Sequence, residues 1–95
     1  MDFLELFDAC VRENKPRLDK YTKPKSLDVT LKEEDIGLDS LDVTLTLVML
    51  SDIYGLPETD DFNIPVTSLR AVQNYMLENK KQDFDSVEAA MESVV

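Results

Sequence analysis

The chain has 95 residues, 20 acidic and 10 basic side chains, a formal net charge of −10 at pH 7, one cysteine and no histidine. This length suits one small domain, and the acidic balance argues against partners that need a basic surface, namely nucleic acids and anionic membranes. Because histidine is missing, His-based catalytic triads and the usual zinc sites are excluded, so we expect neither catalytic residues, metal ligands nor enzyme activity.

The N-terminal segment also bears on location. Met1–Glu5 lacks a basic stretch followed by a long apolar run, so we expect no signal peptide. No stretch of the sequence is long and apolar enough to predict a membrane span. Cys10 has no second cysteine to pair with, which fits a reducing compartment. We expect a cytoplasmic monomer.

The first predicted element is an amphipathic helix. Apolar residues recur at helical spacing from Phe3 to Val11, with acids in the first turn and a base near the end. Pro16 predicts that the helix ends near Asn14. Cys10 lies on the apolar side, so we interpret it as a small core residue.

A long loop is predicted from Lys15 to about Asp39. Within it Leu27, Val29 and Leu31 alternate with polar residues, a pattern that can also form a strand. No second strand is evident to pair with its backbone groups. We therefore expect an extended loop whose apolar side chains close one end of a helical bundle.

The acidic end of this loop, Glu33–Asp39, has an alternative interpretation as a calcium loop. If Gly37 were the invariant glycine of such a loop, ligand positions would fall on Lys32, Ile36 and Val43. These side chains cannot ligate calcium, so that interpretation fails.

Charge is unevenly distributed along the chain. Residues 12–32 contain seven basic and three acidic side chains, whereas residues 33–69 contain nine acidic and no basic ones. An acidic surface around residues 33–54 would steer positively charged partners onto it. The alternative is that the charge only keeps the bundle soluble.

The most apolar stretch, Leu41–Tyr54, contains no proline or glycine and predicts a buried or half-buried helix. Gly37 permits a sharp turn before it. Asp39 and Ser40 are both good N-cap residues, and either could bond the free N–H groups of the first turn. The Ser40 hydroxyl lies where N–H groups and the helix dipole favour an anion, so it suits a phosphodiester. The alternative is that Ser40 only caps the helix.

At 100° per residue this helix has two apolar faces. The predicted core face consists of Val43, Leu47, Leu50 and Tyr54. The second face consists of Leu41, Leu45, Val48 and Met49. Polar residues separate the two: Ser40, Thr44 and Ser51 on one side, Asp42 and Thr46 on the other. Such a helix is either wholly buried or presents one face to partners.

Gly55-Leu56-Pro57 ends this helix, and Glu58–Ile64 can form one or two short turns. Thr67 or Ser68 can cap the next helix, predicted to run to about Lys81. Its inward residues are Leu69, Val72, Tyr75 and Met76.

The tail from Phe84 to Val95 is also predicted to be helical, because Asp85 and Glu88 have capping-box spacing. Its apolar stripe consists of Phe84, Val87, Ala90, Met91 and Val94. A helix this short melts in water unless it docks. We expect it to pack on its own bundle near the first helix.

The motif Gly37-Leu38-Asp39-Ser40-Leu41-Asp42, followed by an apolar helix, resembles the attachment site of acyl carrier proteins. The resemblance covers roughly residues 1–81 and continues through further positions: Val43, Leu47, Leu50, Tyr54, Val66-Thr67 and Ala71-Val72-Gln73. It implies an all-α, small four-helix acyl-carrier-like bundle with a short third helix at Glu58–Ile64. Residues 82–95 would be a C-terminal extension that adds a short helix.

In that family the serine of the Asp-Ser-Leu triplet carries 4′-phosphopantetheine from coenzyme A. The resemblance therefore implies a phosphoprotein with this cofactor on Ser40, flanked by Asp39 and Leu41, that carries acyl intermediates as thioesters. Asp39 before the serine fits acyl rather than peptidyl carriers. We expect a stand-alone carrier of a dissociated polyketide or specialised fatty-acid pathway. The alternatives are primary fatty-acid biosynthesis and a non-carrier helical interaction module.

The implied partners are a magnesium-dependent phosphopantetheinyl transferase, and a ketosynthase, acyltransferase or other pathway enzyme with a basic or apolar docking patch. The expected docking residues are Asp39, Leu41, Asp42, Leu45, Val48, Met49 and Asp52. Carrier proteins usually present several glutamates on this helix, where this chain has Leu45, Ser51 and Ile53. The difference favours dedicated partners with more hydrophobic contact.

Overall fold

Five helices make up the regular secondary structure in a computed structural model, which describes residues 2–14, 19–56 and 64–94. They are α1 (Phe3–Glu13), α2 (Glu33–Ile36), α3 (Ser40–Tyr54), α4 (Leu69–Asn79) and α5 (Val87–Glu92). No strand occurs in the described ranges, so the prediction of a small all-α bundle is confirmed. The short helix expected at Glu58–Ile64 lies outside the described residues, apart from Ile64, which is buried.

Helix α1 forms as its sequence pattern predicts. Asp2 caps it, because its Oδ1 accepts the Leu4 N–H at 2.9 Å, and Asn14 is the C-cap residue. Its buried side packs against α3 and α5. The buried apolar residues are Phe3, Leu6, Phe7, Cys10 and Val11, which confirms Cys10 as a core residue.

Helix α3 runs through the centre of the bundle and contacts both α1 and α4. The predicted core face is confirmed, since Val43, Leu47, Leu50 and Tyr54 are all buried. The buried surface is wider than predicted, because Thr46, Ser51 and Ile53 are buried as well. Gly55, with φ of 73°, ends the helix in the left-handed conformation that glycine favours.

The segment before α3 is not an extended loop throughout, and here the prediction was wrong. Glu33–Ile36 form α2, whose first turn carries three acidic side chains, as the helix dipole prefers. Upstream, Leu31 is buried and Leu27 and Val29 pack against the core, as expected of side chains that close the bundle.

The Leu27–Val29 segment needs no strand partner, because its carbonyl groups bond the first turn of α4. The Val29 carbonyl accepts the Leu69 N–H at 3.0 Å, and the Leu27 carbonyl accepts the Arg70 N–H at 2.7 Å. A helix start has unpaired N–H groups, and this loop supplies acceptors for them.

Ser68 caps α4, since its Oγ accepts the Ala71 N–H at 3.1 Å. The helix ends at Asn79, slightly before the predicted Lys81. Leu69, Val72 and Met76 are buried as predicted, and Tyr75 is half-buried against the core.

The tail helix α5 packs against α1, as predicted. Ala90 is fully buried, and the Met91 Sδ lies 3.8 Å from the Cys10 Sγ. The predicted capping box was wrong by one residue: the cap is Ser86, whose Oγ accepts the Ala89 N–H at 3.1 Å, rather than Asp85. Among the described helices, none combines the length and apolar character needed to cross a membrane.

Candidate functional site

The candidate site begins at the turn between α2 and α3. Gly37 has φ of 74°, and its N–H donates to the Glu33 carbonyl at 2.8 Å to close α2. A Cβ placed on Gly37 would lie 1.7 Å from the Lys20 carbonyl oxygen, so no larger residue fits without moving the backbone. The adjoining Leu38 is only 1% exposed. The turn is therefore held against residues 20–21 immediately before α3 begins.

Asp39 is the N-cap residue of α3. Its Oδ1 accepts the Asp42 N–H at 2.8 Å, and its carbonyl accepts the Val43 N–H at 3.0 Å. Of the two cap residues considered from the sequence, the structure selects this one. The alternative in which Ser40 serves as the cap was wrong.

Ser40 is instead the first residue of α3, and its side chain is exposed. Its carbonyl accepts the Thr44 hydroxyl at 2.8 Å, whereas its own hydroxyl forms no hydrogen bond with any described residue. The hydroxyl is thus unpaired among the described residues, at the N-terminus of a 15-residue helix. The helix dipole favours negative charge at this position.

A hydrogen-bonded network anchors the segment that lies against Gly37. The Tyr21 hydroxyl donates to Asp8 Oδ1 at 2.8 Å, and Arg12 Nε donates to Asp8 Oδ2 at 2.9 Å. Burial, followed by the hydrogen bond to Asp8, raises the pKa of Tyr21. The Thr22 N–H donates to the Ile36 carbonyl at 3.1 Å. These bonds tie α1, the loop and α2 together behind the turn.

A concavity of about 870 Å³ opens beside Ser40. Its lining residues are Lys20, Thr22, Leu31, Lys32, Glu33, Glu34, Asp35, Gly37, Leu38, Asp39 and Ser40. We call this concavity the α2 groove. Sequence reasoning did not assign Lys20, Thr22 or Lys32 to the site, and Lys32 entered only through the rejected calcium-loop interpretation. The three acidic residues after Lys32 are typical of the first turn of a helix and could have indicated α2. No local sequence pattern indicates that residues 20–22 lie opposite α2.

The expected docking residues differ in exposure. Leu41 is 64% exposed and Leu45 is 43% exposed, whereas Val48 and Met49 are half-buried and Met49 packs against the core. Asp39 and Asp52 are exposed, and Asp42 is half-buried.

Ser51 and Ile53, which stand where carrier proteins usually have glutamates, are not on an exposed docking surface. Ser51 is 1% exposed and Ile53 is fully buried, because their side chains lie on sides of α3 that the rest of the bundle covers, whereas Asp52 between them is exposed. On α3 the exposed apolar surface is therefore narrow and centred on Leu41 and Leu45, close after Ser40.

The residues present fit a phosphopantetheine group. An exposed hydroxyl without a hydrogen-bond partner lies at a helix start, and the α2 groove leaves space beside it. The described residues contain no group of three metal-ligating side chains, and the Ser40 hydroxyl has no base hydrogen-bonded to it among them.

Scans of the chain against protein-family models, curated proteins and solved structures find no match. The likeness to acyl carrier proteins rests on the Gly37–Asp42 motif and on the residues quoted with it.

Proposed function

We propose that this protein is an acyl carrier that accepts 4′-phosphopantetheine on Ser40. The observation that supports this most is the division of roles at the start of α3. Asp39 provides the cap, so the exposed Ser40 hydroxyl has no structural task among the described residues. A serine that caps a helix has its side-chain oxygen on a first-turn N–H instead.

In the proposed loading step, a phosphopantetheinyl transferase binds the protein and coenzyme A. Ser40 Oγ attacks the phosphorus that bears the pantetheine, a new P–O bond forms, and the pyrophosphate bond of coenzyme A breaks. Adenosine 3′,5′-bisphosphate leaves, and the serine proton passes to a base on the transferase. The dipole of α3, and those first-turn N–H groups that Asp39 does not already accept, would stabilise the resulting phosphodiester.

When attached, the arm supplies a terminal thiol that holds an acyl group as a thioester. The protein contributes position. Ser40 is on a rigid helix that is anchored in the core by Leu50 and Ile53, both fully buried. A cargo tethered there reaches successive enzymes at a high effective concentration.

The exposed surface of α3 favours partners that combine positive charge with an apolar pocket. Leu41 and Leu45 provide exposed apolar contact, and Asp39 and Asp52 provide exposed negative charge. This mixture supports dedicated enzymes of a polyketide or specialised fatty-acid pathway. Primary fatty-acid synthesis is the second possibility within the same class.

The exposed leucines also suit a different function, a helical module that binds a protein and carries no arm. Loading separates the two. Full-length protein is incubated with coenzyme A, magnesium and a transferase of broad specificity, and its intact mass is measured. The variants are Ser40→Ala and, as a matched control, Ser26→Ala, which removes another exposed hydroxyl.

We expect the wild type and Ser26→Ala to gain one phosphopantetheinyl group and Ser40→Ala to gain none. Peptide mapping should place the group on Ser40. A wild type that gains no mass would support the interaction module, and a group found on another serine would refute the assignment.

A further inference from the structure

The α2 groove lies on the N-terminal side of Ser40, between residues 20–22 and α2. We propose that the phosphopantetheine arm attached to Ser40 rests in this groove between visits to partner enzymes. The inference rests on the proposed function and adds to it the place where the arm is held.

Position is the first argument. Asp39 and Ser40 are themselves part of the groove lining, so an arm attached to Ser40 starts at its wall. A tethered group needs no diffusional search to occupy an adjacent site, which makes even weak contacts effective. The volume of about 870 Å³ lies within the range of roughly 300–1,000 Å³ typical of small-ligand pockets.

The chemistry of the lining is the second argument. Leu31 and Leu38 line the groove, but Leu38 is only 1% exposed, so the apolar contact that these two leucines offer an arm comes mainly from the 9% of Leu31 that is exposed. Thr22, Glu33 and Glu34 supply hydrogen-bonding groups around it. Pantetheine has a matching composition, with two methyl groups on one carbon, hydroxyl and amide donors, and carbonyl acceptors. Its uncharged portion can donate to the carboxylates without a charge penalty.

Charge is the third argument. Lys20 and Lys32 line the groove, and neither forms an ion pair with a described residue. By contrast, Lys23 is paired with Glu5 and Lys80 with Asp83. Two unpaired ammonium groups in one groove offset the negative charge of a phosphodiester at its wall.

Carboxylates also face this space, and they limit where the phosphate can lie. Glu33, Glu34, Asp35 and Asp39 line the groove. Asp35 accepts a hydrogen bond from the Thr30 hydroxyl, and Asp39 is bonded to the first turn of α3. The phosphate therefore stays at Ser40, within the field of the α3 N–H groups and the lysines, while the neutral part of the arm extends along α2.

The test compares apo and loaded full-length protein by backbone amide NMR. Loading is driven to completion and checked by intact mass, so a slow variant is still compared as fully loaded protein. If the arm occupies the groove, the amide signals of Thr22 and of residues 31–35 shift on loading, in addition to those beside Ser40. Nuclear Overhauser contacts should join the pantetheine methyl groups to Leu31.

A charge-reversal pair, Lys20→Glu with Lys32→Glu, tests the role of the lysines. The matched control reverses the same amount of charge outside the groove, at Lys25 and Lys81, which are both exposed. The shifts at residues 31–35 should be lost in the first variant and retained in the control. Each variant is compared with its own apo form, and only variants whose apo amide spectrum matches the wild type away from the substituted residues are used.

The outcomes separate the two proposals. A wild type that never gains the arm overturns the proposed function and this inference together. A loaded wild type whose shifts are confined to residues 39–43 overturns the groove inference and leaves the carrier function standing. Loss of the distant shifts in the control as well as in the charge-reversal pair refutes the role of Lys20 and Lys32.

Discussion

Removing the Asp39 side chain should destabilise the protein, whereas removing the Ser40 hydroxyl should not. Asp39 Oδ1 accepts the Asp42 N–H at 2.8 Å, which is the cap of the central helix. Loss of an N-cap of this type costs about 0.5–2 kcal/mol. For a domain of this size, 1 kcal/mol corresponds to roughly 4–8 °C in the melting temperature. Because Leu50 and Ile53 hold α3 in the core, the loss should appear in global unfolding.

Ser40→Ala removes an exposed oxygen that no described residue uses, and alanine is the better helix former. Its free energy of unfolding should therefore stay within about 0.5 kcal/mol of wild type. Asp39→Asn is the matched control, because asparagine keeps an acceptor for the Asp42 N–H and loses only the charge. It should melt closer to the wild type than Asp39→Ala does.

Thermal unfolding followed by far-UV circular dichroism measures all three variants against the unloaded wild type. The same proteins are then tested for loading by intact mass. Stability and loading should separate: Ser40→Ala is stable and never loaded, whereas Asp39→Ala is less stable and retains the acceptor hydroxyl. If Ser40→Ala lowers the melting temperature as much as Asp39→Ala, the serine contributes a cap and the reasoning fails.

Ending the chain at Asp83 removes α5 and should uncover Cys10, whose pKa burial raises from 9.0 to about 12. A return toward the ordinary pKa increases the thiolate fraction at a given pH, so alkylation should accelerate. An unchanged rate would contradict the packing of α5 over α1. Leu45→Ser should change the free energy of unfolding in urea only slightly, because Leu45 is 43% exposed. Leu50→Ala should lower it by about 2–5 kcal/mol. Equal losses of stability in the two variants would place both side chains in the core. Burial, with the negative charge of Asp83 second, raises the pKa of Tyr54 from 10.0 to about 12. The folded state thus holds this proton more tightly, and its contribution to stability is complete below pH 10.0 and falls as pH rises through about 12. Tyr54→Phe should flatten that decline in urea titrations across this range, and an unaltered slope would rule out this tyrosine as its source.

Much of the fold could be predicted from the sequence because helix signals are local. The apolar spacing in α1 and α4 identified their buried residues, and the buried position of Cys10 followed from the same spacing. The stripe in the tail correctly indicated a helix that docks on α1, since so short a helix needs a surface. The motif around Ser40 could be located for the same reason, as it consists of adjacent residues.

Helix caps and loops were less predictable, because several neighbouring residues could accept the same backbone N–H groups. Asp39 and Ser40 were equally suitable caps by residue type, as were Asp85 and Ser86 with small changes in the helix start. The backbone geometry of the turn decided both cases. The Leu27–Val29 segment resembled a strand, and its carbonyls were satisfied by α4, a partner about 40 residues away.

The sequence by itself determined where α1, α3, α4 and α5 occur, which side of α1 is apolar, and which serine is the candidate acceptor. Tertiary structure alone decided how far burial extends around α3 beyond the predicted core face, because burial depends on the neighbouring helices. It also decided that Ser51 and Ile53 are covered and Leu41 is not. The α2 groove is also a feature that only the tertiary structure decides. Its walls come from residues 20–22 and 31–40, which meet only because the Lys20 backbone lies against a glycine that has no Cβ.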